Sequence, residues 1–196
     1  MSMQAHSQPA TRLKNAAATR DAILEAARQR FLLESYDNVG LRDIAGDAGV
    51  DVALVGRYFG GKEKLFEEVL GKCEVDLVPA DIGADELPAF LAKLFMDQDQ
   101  AERRQHIEQL LIVLRSAGSP SAGQIVRDAL RQDILGPLTE RLTGDNAETR
   151  ASLAMGVLMG ATVIRTIMSV GPMCNDKCTF IEERLARLFE AALSPR

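Results

Sequence analysis

Tryptophan is absent from this 196-residue chain, aromatic residues make up only 5% of it, and it carries three cysteines and two histidines. Cys73, Cys174 and Cys178 are too few and too unevenly spaced for a disulfide framework, so reduced thiols are expected. Cys174 and Cys178 form a CxxxC pair that a redox sensor or half a metal site would also use. His6 and His106 supply no full zinc ligand set, and neither a metal nor a cofactor is expected. Catalytic constellations are missing too: no Ser/His/Asp or paired-carboxylate arrangement has interpretable spacing, which argues against an enzyme. Gly56 to Lys62 matches the spacing of a phosphate-binding loop, but Glu63 stands where a magnesium-holding Ser or Thr is needed. Long apolar runs are lacking as well. The longest, Met155–Met168, is interrupted by Arg165, which argues against a membrane span. Met1–Thr11 have no apolar core of the kind a secretory signal needs, so the expected location is cytoplasmic.

What the chain does have is Ala, Leu, Glu and Arg in quantity, a composition that favours helix. No segment alternates at period two, and an all-α fold is expected. The net charge of −5 is unevenly distributed: residues 1–72 hold ten Lys/Arg and ten Asp/Glu, and the rest hold thirteen against eighteen. Arg12, Lys14 and Arg20 meet no acid in the first twenty residues. The chain therefore pairs a relatively basic end with an acidic body.

Residues 1–18 lack apolar periodicity and read as a flexible basic arm. Arg12, Lys14 and Arg20, on and beside that arm, either track nucleic-acid phosphate or enter a minor groove, or are the incidental charges of a tail. From Thr19 a helical pattern begins with Ile23, Ala27 and Phe31, and three short apolar sets follow. These are Leu41–Ala48, Val52–Phe59 and a fourth from Lys62 with Leu65, Phe66, Val69 and Leu70. A domain over 19–77 is expected, then a break near Pro79 and Gly83, then a second domain over 84–196. Its helices are expected near 84–97, 101–117, 120–142, 147–169 and 176–193.

Two helices that cross at a tight turn need a small residue at the crossing, a residue tolerant of positive φ in the turn, and an apolar residue that closes the pair. Ala45, Gly49 and Val55 supply these at the spacing of a DNA-binding helix-turn-helix, which places that motif over Leu41–Phe59. Outward residues of its second helix are Asp51, Val52, Ala53, Gly56, Arg57 and Tyr58. Arg57 has the planar fork that pairs with a guanine edge, and Val52 and Ala53 suit thymine methyls. Lys62, at the start of the next helix, is a candidate phosphate contact, as is Tyr58 unless that ring is half-buried core. Arg42 either contacts DNA or pairs with Asp43 or Asp47.

The runs Thr19–Ala27, Leu41–Ala45, Ala48–Val50 and Tyr58–Leu65, with Phe31 and Tyr36 between, closely resemble the tetracycline-repressor-like (TetR) family of bacterial regulators. The resemblance implies a homodimeric repressor with two recognition helices in successive major grooves and a small-molecule pocket in the C-terminal domain. Four positions depart from the family's pattern. Val39 and Gly40 stand where it usually has Thr and Ser, Asp51 stands where a Ser opens the recognition helix, and Gly56 replaces a phosphate-contacting Tyr. Those departures feed an alternative, a helical protein-interaction module that no longer reads DNA.

In the second domain Met96, Leu110, Leu114, Met155 and Met159 are adaptable apolar candidates for lining a ligand pocket, although each also fits ordinary core. Arg165 must find an anion. Glu182 or Glu183 across a dimer, an acid of the same chain, or an anionic ligand would serve. Helices 147–169 and 176–193 carry long apolar stripes and are assigned the dimer interface.

Overall fold

The computed structural model describes residues 9–71, 79, 81–96, 100–174 and 178–195, and within these the side chains of 9–15, 100–103 and 106 are excepted. The expected roles of Arg12, Lys14, His6, His106 and Cys73 therefore lie outside the described residues. Every regular element among the described residues is helical. The helices are α1 (Pro9–Leu33), α2 (Leu41–Asp47), α3 (Val52–Phe59), α4 (Lys62–Gly71), α5 (Leu87–Met96), α6 (Gln100–Ser116), α7 (Gly123–Leu130), α8 (Gly136–Glu140), α9 (Ala147–Thr162) and α10 (Thr179–Leu193).

Helix α1 begins ten residues before the first apolar repeat, so residues 9–18 of the expected arm are helix. Periodicity misses this because propensity alone carries the segment. Pro9 suits a first helical turn, and Ala10 with Ala16, Ala17 and Ala18 favours helix without needing a buried face.

Two compact units form: residues up to 72 together with 112–125, and residues 73–111 together with 126–196. The segment 112–125, read from sequence as part of a second domain over 84–196, falls in the first unit. Leu114 goes with it and is exposed, which removes it from a pocket in the second unit.

The first unit closes around Ile23, Ala27 and Phe31 of α1, Tyr36, Ile44, Val55, Phe59, Leu65 and Phe66, all buried. Phe66 meets Phe31 edge-on at 4.7 Å and Tyr36 at 5.0 Å between ring centroids. Each fully buried side chain of this size contributes about 1.5–3 kcal/mol, which is why three helices this short hold their places. Ser116 Oγ accepts the Tyr36 N–H at 3.3 Å and satisfies a buried donor.

In the second unit α10 presents Ile181, Leu185, Phe189 and Leu193 at four-residue steps against Leu87, Leu91 and Phe95 of α5 and the small residues Ala151 and Ala154 of α9. The expected helix 120–142 is broken into α7, a π-helical turn over Arg131–Leu135, and α8. Pro137 cannot donate to a carbonyl one turn earlier, and widening the preceding turn accommodates the loss. A Cβ on Gly136 would lie 3.0 Å from the Arg131 carbonyl oxygen, a tight approach that glycine avoids. A second π-turn, Val163–Ile167, ends the long helix.

By length and hydropathy Ala147–Ile167 passes as a membrane-crossing helix despite Arg165. In the fold one face of it packs into the core: Ala151, Ala154, Leu158 and Ala161 are buried, and its arginines donate to main-chain carbonyls. Arg165 donates to the Phe95 carbonyl at 2.6 Å and lies 4.6 Å from the centre of the Phe95 ring. A carbonyl at the C-terminal end of α5 carries partial negative charge of its own, which suits it to a guanidinium.

Candidate nucleic-acid interface

Helix α2 ends as its sequence requires. Gly49 takes φ +67°, its N–H bonds to the Gly46 carbonyl at 3.2 Å, and Val50 N–H reaches back to the Ala45 carbonyl at 2.9 Å. This pair of bonds is a Schellman closure, which needs a left-handed residue at its corner. Ala45 is buried at the crossing, and Val55 is fully buried beneath it. The chain then enters α3 through Asp51, whose carboxylate accepts the Ala53 N–H at 2.8 Å. Gly60 closes α3 with φ +79°.

With Val55 and Phe59 turned inward, Asp51, Val52, Ala53, Gly56 and Arg57 are exposed on the opposite face. Tyr58 is half-buried, as its alternative reading allowed. The face carries one cation with a planar fork, one carboxylate and two small apolar groups. This chemistry suits one guanine contact and methyl packing. A Cβ on Gly56 would meet nothing within 4 Å, so the glycine answers to no crowding.

Three flanking cations depart from expectation or refine it. Arg20 is not free to face phosphate: it pairs with Glu68 on α4 and lies 4.8 Å over the Phe59 ring. Lys62 packs its ammonium 4.2 Å from the centre of the Tyr36 ring, and burial pushes its pKa below the ordinary lysine value. It is a clamp between α4 and the Tyr36 turn, because it precedes Leu65 and Phe66 by three and four residues and so shares their buried face. Arg42 is exposed. Its expected partner Asp47 is held instead by Arg30 of α1, through bonds of 2.5 and 2.9 Å.

Lys64 was missed by the sequence reading. It is exposed, and its stem lies along the α3 cap, with Cδ 3.4 Å from where a Gly60 Cβ would be. The signal was available, since two positions after Lys62 the α4 pattern faces outward. At the start of α2, Gly40 makes room for Asp43: a Cβ there would sit 2.6 Å from the Asp43 carboxylate. The hydroxyl cap lost at this position thus gives way to an acid of the first turn lying over the helix entrance, where negative charge is favourable.

In the second unit the residues proposed from sequence for a ligand pocket differ in burial. Met96 is buried beside the Arg165 guanidinium, while Leu110, Met155 and Met159 are half-buried. Two clefts there, of about 430 and 540 Å³, are lined by none of these residues.

Comparison with known proteins agrees with this arrangement. Residues 23–69 match the family model of bacterial regulatory proteins of the tetR family, and residues 85–193 match that of the tetracyclin repressor-like C-terminal domain. Among solved structures the fold is similar to Salmonella enterica GusR, with a TM-score of 0.64 and 19% identity over 89% of this chain and 95% of that one. It is also similar to a transcriptional regulator from Rhodococcus sp. Rha1, with a TM-score of 0.60 and 20% identity over 91% and 95%. A TetR transcriptional regulator from the same source gives 0.55 and 16% over 92% and 97%. No curated protein matches the sequence. With family models covering both the helix-turn-helix and more than half of the chain beyond it, this chain belongs to the TetR family of DNA-binding transcriptional regulators.

Proposed function

We propose that the chain is a homodimeric repressor that binds a palindromic operator through α3, leaves it when a small molecule occupies the second unit, and works in the cytoplasm. The observation that carries the DNA half is the outward face of α3: Arg57 stands clear of any ion pair among the described residues, beside exposed Val52 and Ala53. In a major groove Arg57 donates two bonds to the O6 and N7 of one guanine, and the apolar pair reads thymine methyls. Arg42 and Lys64 flank that face and contact backbone phosphate, which fixes register without reading sequence. Asp51 holds the α3 cap at the expense of some repulsion from phosphate.

The second unit supplies the partner surface. Leu153, Ile164 and Met168, along the expected helix 147–169, and Phe180 and Leu188 of α10 are exposed. Apolar groups in such number on two neighbouring helices fit a four-helix interface with a second copy. Met96, Leu110, Met155, Met159 and Arg165 remain the residues proposed to border the effector. Methionine's flexible thioether adapts to apolar ligands.

Footprinting the purified protein on the DNA flanking its own gene tests the reading. Two protected half-sites whose centres lie about 34 Å apart, or a multiple of that, are expected. No protection at low salt would leave the interaction-module reading in its place.

A further inference from the structure

At the end of the second unit a permanently charged group is buried beside open space. Arg150, on the first turns of α9, is 7% exposed. Its guanidinium donates to the carbonyls of Leu193 at 2.7 Å, Thr143 at 2.5 Å and Gly144 at 3.5 Å, while Nε is buried without an acceptor. Three bonds leave donors unmatched on a group that has five. All three acceptors are neutral, and among the described residues no carboxylate pairs with it. The loop that presents two of them turns through two left-handed residues, Gly144 at φ +81° and Asn146 at φ +56°. Glycine and asparagine are the residue types that adopt this region readily, so the sequence itself favours the turn that brings these carbonyls to the arginine.

Arg150 borders the cleft of about 540 Å³, a volume within the range of small-molecule sites. Pro88 and Ala89 of α5 and Leu142 give it apolar walls, and Asp85, Arg187 and Glu190 stand around it. We propose that this cleft binds a small organic monocarboxylate with an apolar body, its carboxylate against Arg150 and its body against Pro88, Ala89 and Leu142. A buried guanidinium without a counter-charge is costly, and a carboxylate matches its planar geometry with two bonds. Asp85 and Glu190 offset Arg187 and Arg150, so the lining is neutral overall. A dianion such as phosphate would meet those acids with no further cation to balance it. The cleft shares no residue with the proposed effector set, and DNA plays no part in the test, so either reading survives the failure of the other.

The test is calorimetric titration of the full chain with 3-phenylpropionate, against 3-phenylpropanol, phenethylamine and inorganic phosphate as controls. Binding of the carboxylate in the millimolar range or tighter is expected, with none from the alcohol, the amine or phosphate. Ala89→Trp, at an exposed position, fills the cleft and abolishes binding while the helical signal and melting profile stay unchanged. Arg150→Lys weakens binding by about tenfold or more, because the paired bonds are lost. No binding at about 10 mM, equal binding of the alcohol or of phosphate, or binding that survives Ala89→Trp would each overturn the proposal. In the first case Arg150 is only a clamp on the end of α10.

Discussion

Two glycines of the helix-turn-helix should respond oppositely to the same substitution. Gly56 lies inside α3 with nothing within 4 Å of an added Cβ, and its carbonyl already accepts the Gly60 N–H at 2.8 Å. Alanine there gains about 0.8–1 kcal/mol in helix preference. Gly49 also has open space around it, but its φ is +67°. Alanine in that region costs about 1–2 kcal/mol, only partly offset by about 0.4–1 kcal/mol from a less flexible unfolded chain. Gly56→Ala should therefore stabilise and Gly49→Ala destabilise, with the two separated by roughly 1–2.5 kcal/mol. Urea unfolding followed by circular dichroism reads this directly. With a slope of about 2 kcal/mol per molar urea, the two midpoints differ by about 1 M. Equal midpoints, or the reverse order, would refute the assignment of strain to the Schellman corner and of idle flexibility to α3.

Asp51 both caps α3 and places a charge on the DNA face, and two variants separate these effects. Asp51→Ser keeps the cap, leaves stability within about 0.5 kcal/mol and tightens DNA binding in a gel-shift titration, whereas Asp51→Ala loses about 1 kcal/mol in thermal unfolding. The bond from Arg30 holds the Asp47 carboxyl below its ordinary value of 3.8. A lowered folded value means that this contribution is complete above 3.8 and disappears as pH falls through the folded value. The stability difference between the parent and Asp47→Asn, measured by acid titration of the unfolding midpoint, should therefore shrink below that pH. Phe180→Asp together with Leu188→Asp should give a monomer with unchanged helical content by analytical ultracentrifugation, since both side chains are exposed in the single chain.

The scaffold was legible because it rests on local requirements. A left-handed corner selects glycine at 49, a tight crossing selects alanine at 45, and the apolar residues of α1 and α4 recur at helical spacing. Cations were harder to place, because their partners are set by tertiary contacts. Arg20 meets Glu68 forty-eight residues away, and Arg30 takes the Asp47 that sequence distance had offered to Arg42. Lys62 was legible in principle, since its spacing to Leu65 and Phe66 puts it on the inner face. A ligand pocket is harder still to read from residue type. Met96 and Met159 have the chemistry of a ligand wall, but a cavity depends on where packing fails, and residue type does not fix that. The cleft beside Arg150 forms where the ends of three helices converge on the 143–146 loop, a coincidence of distant segments that no local pattern reveals.

The central claim is that α3 reads base edges through Arg57. Its most direct measurement is a double-mutant cycle: the affinities of the parent and of Arg57→Ala for the footprinted operator and for an operator with the contacted guanine replaced. Loss of about 1–3 kcal/mol on either single change, with little further loss on combining them, is predicted. Equal affinity of Arg57→Ala and the parent for the intact operator, or losses that simply add, would contradict it.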